Sequence, residues 1–254
     1  MNAVMRGLVR AVAETFTLPG PILEIGSYQV PGQEAVADLR SLFPGRSFLG
    51  LDVRAGRGVD LLANVESLPY AEGSIGTILA ISTLEHVPRF WRAFDEMHRV
   101  LRPDGALLVA CPFYFHRHDH PNDYWRFTPE ALEMLLTPYP SKIVGYHGPR
   151  SRPANVWSLA FREARPPIGK DQFHVYQTRL RHHARMPLTW SRYLRLQLGR
   201  ILFGAGHFAP YLQRERLNNR CLNAPIHNPV VEIRKPKSDD RATERKARYV
   251  NTAA

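Results

Sequence analysis

Apolar residues recur along the first two thirds of the chain in two alternating rhythms. Val4, Leu8, Val9, Val12 and Phe16 return at roughly helical intervals, which predicts an amphipathic helix over residues 1–17 leaning on a larger body. Pro19-Gly20-Pro21 ends it, and Ile22 to Ile25 predicts a first strand. A helix over 33–43 would bury Val36, Leu39 and Leu42, and a second strand over 48–53 follows the turn Pro44-Gly45. Strands are predicted at 59–63 and 75–81, the latter a run of largely apolar residues without alternation, as suits a strand buried on both faces. Pro88 opens a helix carrying Phe90, Phe94, Met97 and Leu101, and Arg102-Pro103-Asp104-Gly105 turns it into a strand at 106–111. Thr128-Pro129-Glu130 reads as a helix start, with an N-cap hydroxyl, Pro at the first helical position and a carboxylate in the first turn. Strands at 142–146 and 156–161 complete the series, with 229–233 competing for the last place. Unbroken alternation of strand and helix, without internal repeats, predicts a parallel, doubly wound sheet.

Composition adds bounds. A chain of 254 residues with 44% apolar content can build a large core. Cys111 and Cys221 are too few for a disulfide framework and lack Cys or His neighbours at metal-ligand spacing, so a reducing, cytoplasmic setting is expected. Arg6, Arg10 and Glu14 interrupt the first helix, which therefore does not have the order of a secretory signal, and no apolar run has the length of a membrane span. The charge is lopsided: residues 150–254 hold 21 Lys and Arg against 7 Asp and Glu, whereas the rest is close to neutral.

The chemistry is concentrated at strand ends. After the first strand, Gly26-Ser27 and Gly32 provide a glycine turn, and Asp52 closes the second strand with a carboxylate that can accept hydrogen bonds from two ribose hydroxyls. The second glycine of a dinucleotide-binding G-x-G-x-x-G turn is missing and Pro31 is inserted, so a pyrophosphate cradle is poorly matched. Glu24 inside the strand end would repel a phosphate but suits a ligand carrying a cationic amine.

Five segments in order resemble the class I S-adenosylmethionine-dependent methyltransferases over roughly residues 20–163: Leu23-Glu24-Ile25-Gly26-Ser27, Asp52, Asn64-Val65-Glu66-Ser67-Leu68-Pro69-Tyr70, Thr83-Leu84-Glu85-His86-Val87, and the run from Met97 to Gly105. The resemblance implies a Rossmann-like three-layer sandwich with a seven-stranded, mostly parallel sheet over 1–163, followed by a basic helical extension over 164–254. It implies S-adenosyl-L-methionine as cofactor, with Glu24, Gly26 and Ser27 beside its methionine part, Asp52 on the ribose, and Asn64 with Val65 facing adenine. A small-molecule or saccharide acceptor would then be methylated on oxygen or nitrogen.

His86, just past the fourth strand, is the candidate general base, a role needed only if the acceptor must lose a proton. The loop from His116 to Phe127 would overhang the site, with His118, His120, Tyr124 and Arg126 as acceptor-binding candidates. Its three His and two Asp have no second, distant ligand set visible in the sequence, and no metal is expected. In the tail, Trp190, Leu194, Leu198, Ile201 and Leu202 share one helical face opposite Arg192, Arg195 and Arg200. This helix can pack on the domain, lie on an anionic membrane surface such as the inner face of a cell membrane, or touch nucleic acid, for which the charge is present but no module is recognisable. Residues 234–248 read as a solvated, partly disordered end. The competing functional class is a non-catalytic cofactor-fold protein that works through its basic tail. Nothing in the sequence sets the oligomeric state.

Overall fold

The computed structural model describes residues 1–118, 122–163, 166–184, 190–203 and 217–223. Eight strands form one sheet: β1 (Ile22–Ile25), β2 (Phe48–Asp52), β3 (Leu61–Leu62), β4 (Ile75–Ile81), β5 (Leu101–Pro112), β6 (Ser141–His147), β7 (Asn155–Phe161) and β8 (Leu217–Asn223). Their spatial order is β3-β2-β1-β4-β5-β7-β6-β8. The strands from β3 to β5 pair in parallel, and β7 runs antiparallel between β5 and β6. The sheet is thus Rossmann-like and mostly parallel as expected, with one strand more than the seven foreseen.

That extra strand lies in the segment expected to be a helical extension. β8 pairs antiparallel with β6 over its full length. Trp157 Nε1 on the neighbouring β7 donates to Asn219 Oδ1 on β8, and also to the hydroxyl of Tyr176, both at 3.2 Å. Residues 1–223 form one compact unit that includes this strand. The polar run Leu217-Asn218-Asn219-Arg220 carries no strand periodicity, which is why pairing rather than propensity defines β8.

Among the described residues six helices accompany the sheet: α1 (Ala3–Thr15), α2 (Glu34–Ala37), α3 (Phe90–Val100), α4 (Pro129–Leu135), α5 (Lys170–His183) and α6 (Trp190–Phe203). Alternate residues of β5 feed opposite layers, as the pleat requires. Ala106, Leu108 and Ala110 join the core under α1 and α5, and Leu107, Val109 and Cys111 join the core under α3 and α4. At Gly7 the helices α1 and α5 approach so closely that a Cβ would lie 2.4 Å from the His183 carbonyl oxygen. Asn2 caps α1 and Thr128 caps α4 through side-chain oxygens, each cap being worth about 1 kcal/mol.

Two expectations need correction. The helix over 33–43 is only the four-residue α2 and a 3-10 turn at Arg40–Leu42, because Asp38 between them is extended (ψ 90°). Of its three apolar residues Leu39 alone is fully buried. The strand at 59–63 shrinks to β3. The apolar face of α6 exists as read, but Trp190, Leu198, Ile201 and Leu202 are all more than half exposed rather than packed on the domain. Residues 229–233 and 234–248 lie outside the described residues.

Candidate active site

Strand order reverses between β1 and β4: from β1 the chain moves outward to β2 and β3, and from β4 outward to β5. In such sheets ligands bind in the crevice beyond the carboxyl ends of the strands at this switch point. A cleft lies there in two lobes that share Gly26, Arg54, Ser82 and His86. The first lobe has a volume of about 250 Å³ and is lined by Asp52, Asn64, Val65 and Tyr124 among others. The second offers about 370 Å³ and includes Glu24, Ser27, Phe115, His116 and His118 in its wall.

The turn after β1 is fixed by tight packing against the loop after β4. Gly26 has φ +77°, and a Cβ there would sit 2.2 Å from Thr83 Oγ1. That hydroxyl donates to the Ile25 carbonyl at 2.9 Å. Ser82, next to it, adopts a left-handed φ of 53° without being glycine, a strain of about 1–3 kcal/mol of the kind that gathers at functional sites.

Asp52 is buried at the end of β2. Its Oδ2 accepts from the Tyr28 backbone N–H at 3.2 Å, and its Oδ1 from the Arg54 backbone N–H at 3.0 Å and from Arg54 Nε at 3.4 Å. The Arg54 guanidinium lies over the Tyr28 ring, 4.4 Å from its centroid. A carboxylate has about four lone-pair sites. One is therefore left for a ribose hydroxyl, and release of the long Arg54 Nε contact frees another.

Glu24 is 7% exposed, and burial, reinforced by the negative field of Asp38, Asp52 and Asp60 and opposed by Arg40, pushes its carboxyl up to about 8. A ligand amine is the cation that would restore its charge. Ser27 Oγ, also buried in this lobe, has no hydrogen-bond partner. Asn64 spends its oxygen on the local turn, accepting from the Glu66 N–H at 2.9 Å. Glu66 in turn holds Arg89 through the backbone N–H at 2.9 Å and Nε at 2.7 Å, which steadies the loop that lines the first lobe.

The loop after β4 is tied to the one before α4. The Glu85 carbonyl accepts from the backbone N–H groups of Tyr124 (2.8 Å) and Trp125 (3.2 Å), and Trp125 Nε1 donates to the Val87 carbonyl at 3.0 Å. His86 Nδ1 donates to the Asn122 carbonyl at 2.5 Å. Glu85 is fully buried, and neither of its carboxylate oxygens meets a donor from another residue. Burial pushes this acid up to about 8, against the pull of its own backbone N–H, the N-terminal amine and Arg126.

Of the residues expected to touch the cofactor, Glu24, Gly26, Ser27, Asp52, Asn64 and Val65 all line the cleft. His86 stands where the lobes meet, His118 lines the second and Tyr124 the first. Arg126 lines neither. Two hydrogen bonds, one of them Nη2 to Asp123 Oδ2 at 2.6 Å, hold it to Asp123, whose carboxyl is thereby kept well below the ordinary range. His120 lies outside the described residues. Sequence reasoning missed Tyr28 and Arg54 as partners of Asp52, and it quoted Glu85 beside His86 without assigning it a role. A buried carboxylate has no signature in sequence.

A crevice at the switch point, with a strand-end carboxylate in one lobe and a buried acid in the other, marks a Rossmann-like domain with a ligand site at the carboxyl ends of its strands. Residues 35–109 match the family model described as a methyltransferase domain. An uncharacterized methyltransferase of Mycobacterium sp. (strain KMS) is 34% identical over 110 residues, which are 39% of this chain and 42% of the relative. The chain thus spans about two fifths of that relative's length in the matched region. An uncharacterized methyltransferase of Mycolicibacterium gilvum (strain PYR-GCK) is 26% identical over 62% of this chain and 75% of its own length. A SAM-dependent methyltransferase from Archaeoglobus fulgidus shares the fold, with a TM-score of 0.50 at 11% identity over 63% of this chain and 93% of that one. Residues 35–109 are thus similar to a methyltransferase domain, on a fold shared with S-adenosylmethionine-dependent methyltransferases, and S-adenosyl-L-methionine is the cofactor that this likeness supports. The cleft offers that molecule a buried acid at Glu24, a strand-end carboxylate at Asp52 and the unpartnered Ser27 hydroxyl.

Proposed function

We propose that this protein transfers a methyl group from S-adenosyl-L-methionine to an oxygen or nitrogen of a small-molecule acceptor, with saccharides among the candidates. The observation that carries the reading is that Asp52 and Glu24 line two adjoining pockets that share Gly26, Arg54, Ser82 and His86. Asp52 would hold the ribose, Val65 and the Asn64 turn would border the adenine, and Glu24 would face the methionine amine. When bound, the sulfonium supplies an already activated methyl: the S–CH₃ bond breaks, sulfur keeps the electron pair and the acceptor atom forms the new bond. The chain's own task is alignment, which can be worth about 7–11 kcal/mol of the barrier. The second lobe, with Phe115, His116 and His118, would take the acceptor, and His86 would receive its proton.

The test is calorimetric titration with S-adenosylmethionine and S-adenosylhomocysteine, followed by mass spectrometry of acceptor libraries with a labelled methyl donor. An intact protein that binds neither nucleoside sinks the proposal.

The exposed apolar face of α6 favours one partner surface. Trp190, Leu194, Leu198, Ile201 and Leu202 stand in solvent beside the exposed Arg195, a pattern suited to an anionic bilayer. None of the helices among the described residues is long and apolar enough to cross a membrane. Co-sedimentation with phosphatidylglycerol vesicles should fall in Leu198→Asp plus Ile201→Asp; equal binding by wild type and variant removes this partner.

A further inference from the structure

Three side chains from two loops converge at the edge of the acceptor lobe. Glu85 and His86 end the 3-10 turn after β4, and His118 follows β5. One carboxylate oxygen and one nitrogen of each imidazole lie within 4.8 Å of one another. His86 Nε2 is 3.9 Å from Glu85 Oε1, and the two rings meet edge to face with centroids 4.9 Å apart. We propose that Glu85, His86 and His118 bind a divalent transition-metal ion, with zinc as the ion that suits them.

Burial of Glu85 is the first argument. A carboxylate taken fully out of water, with no donor from another residue on either oxygen, costs at least about 1–3 kcal/mol and more when charged. Native structures leave few such groups. The 3.9 Å gap to His86 exceeds hydrogen-bond reach, so a direct relay between the two does not account for it. An ion between them does.

The second argument is the support behind the rings. His86 Nδ1 gives its proton to the Asn122 carbonyl, which leaves Nε2 with the lone pair on the side of Glu85. His118 Nδ1 lies 3.1 Å from Asp123 Oδ2, close enough for an ion pair but without hydrogen-bond alignment to that oxygen, so a small ring rotation is needed to complete the contact. That carboxylate is itself held by the His118 backbone N–H at 3.0 Å and by Arg126. A carbonyl or carboxylate behind the imidazole is the usual outer partner of a metal-binding histidine. The Asp123–Arg126 pair would then serve to hold a carboxylate beside the His118 ring rather than to contact the acceptor.

The donor set is the third. Two imidazoles and one carboxylate suit zinc or another late divalent ion and leave a coordination position open. A tetrahedral zinc ion with bonds of about 2.1 Å separates its ligand atoms by roughly 3.4 Å, so small side-chain rotations close the observed set.

His86 and His118 both line the second lobe, so the open position would face the acceptor. An ion there would lower the proton affinity of the acceptor atom and let its proton leave to solvent. His86 would then act as a ligand instead of taking that proton. This role rests on the methyl-transfer reading, whereas the existence of the site does not.

The experiment uses the full chain, dialysed against a chelator and titrated calorimetrically with zinc chloride. Cobalt(II) is added in parallel for its visible absorption. Wild type should take up one high-affinity zinc per chain and show cobalt bands. Glu85→Gln and His118→Ala should each weaken that site by about 100-fold or more, and Asp123→Asn by about 10–100-fold. Circular dichroism melts check folding, and zinc should raise the melting temperature of wild type but not of His118→Ala. If Glu85→Gln fails to fold, His118→Ala and His118→Gln carry the test. Absence of zinc binding by wild type, or unchanged affinity in the folded variants, overturns the site. Separate titration with S-adenosylmethionine keeps the two readings apart: loss of nucleoside binding by wild type would sink the methyltransferase proposal and leave a positive zinc result standing.

Discussion

The imidazole of His86 donates from Nδ1 to the backbone carbonyl of Asn122 at 2.5 Å, across 36 residues of sequence. A carbonyl oxygen can only accept, so this bond sets the tautomer of the neutral ring and directs Nε2 away from Asn122. It also ties the loop after β4 to the loop before α4, which line the same cleft.

Replacing His86 with Ala should lower methyl transfer by about 10²–10⁴-fold while S-adenosylmethionine affinity stays within a few-fold of wild type. Single-turnover kinetics and calorimetry together separate the two quantities. A fall in affinity of the same size as the fall in rate would place His86 on the cofactor instead.

Asp52→Ala removes the carboxylate that receives Tyr28 and Arg54. Loss of charge-assisted hydrogen bonds at about 1.5–3 kcal/mol each predicts at least ~10-fold weaker nucleoside binding. Asp52→Asn, which preserves shape, should fall between the two. Calorimetric titration of folded variants decides; equal affinities would mean that the ribose lies elsewhere.

Glu24 predicts an unusual pH dependence. Its folded value of about 8 lies above the ordinary 4.5, so the unfolded chain binds fewer protons than the folded one in that interval. Its contribution to stability is therefore complete below about pH 4.5 and is lost as pH rises through about 8. Urea unfolding of wild type and Glu24→Gln across this window should show the slope only in wild type. Nucleoside affinity should rise over the same range, since the ionised acid is the form that attracts the amine.

Gly26→Ala should destabilise the fold and weaken nucleoside binding, because a Cβ at φ +77° would press on the Thr83 side chain at 2.2 Å. Ser82→Gly should do the reverse for stability, gaining about 1 kcal/mol by relieving its left-handed backbone at φ 53°. Denaturant midpoints test both; a destabilised Ser82→Gly would show that the side chain supports more than its strain costs.

Much of the fold was legible because its signals are local. The largely apolar run 75–81 emerged as β4 with both bounds intact, and Thr128-Pro129 capped α4 as read. The helix over 33–43 failed because helical spacing of three apolar residues does not oblige the backbone at Asp38 to be helical. β8 failed for the opposite reason: its polar residues have no strand preference until β6 offers an edge.

At the site, residue types and order singled out Glu24, Gly26, Asp52, Asn64 and His86, and all five line the cleft beyond the carboxyl ends of the parallel strands. The sequence by itself determined those strand ends and the sign of the charges on them. Only the tertiary structure decided which groups meet: it paired Arg126 with Asp123, removed Glu85 from water and brought His118 to within ring contact of His86. The physical reason is range. Propensity, capping and periodicity act over a few residues, whereas burial, electrostatic shifts and ligand sets depend on distances between segments that the chain brings together only when the sheet closes.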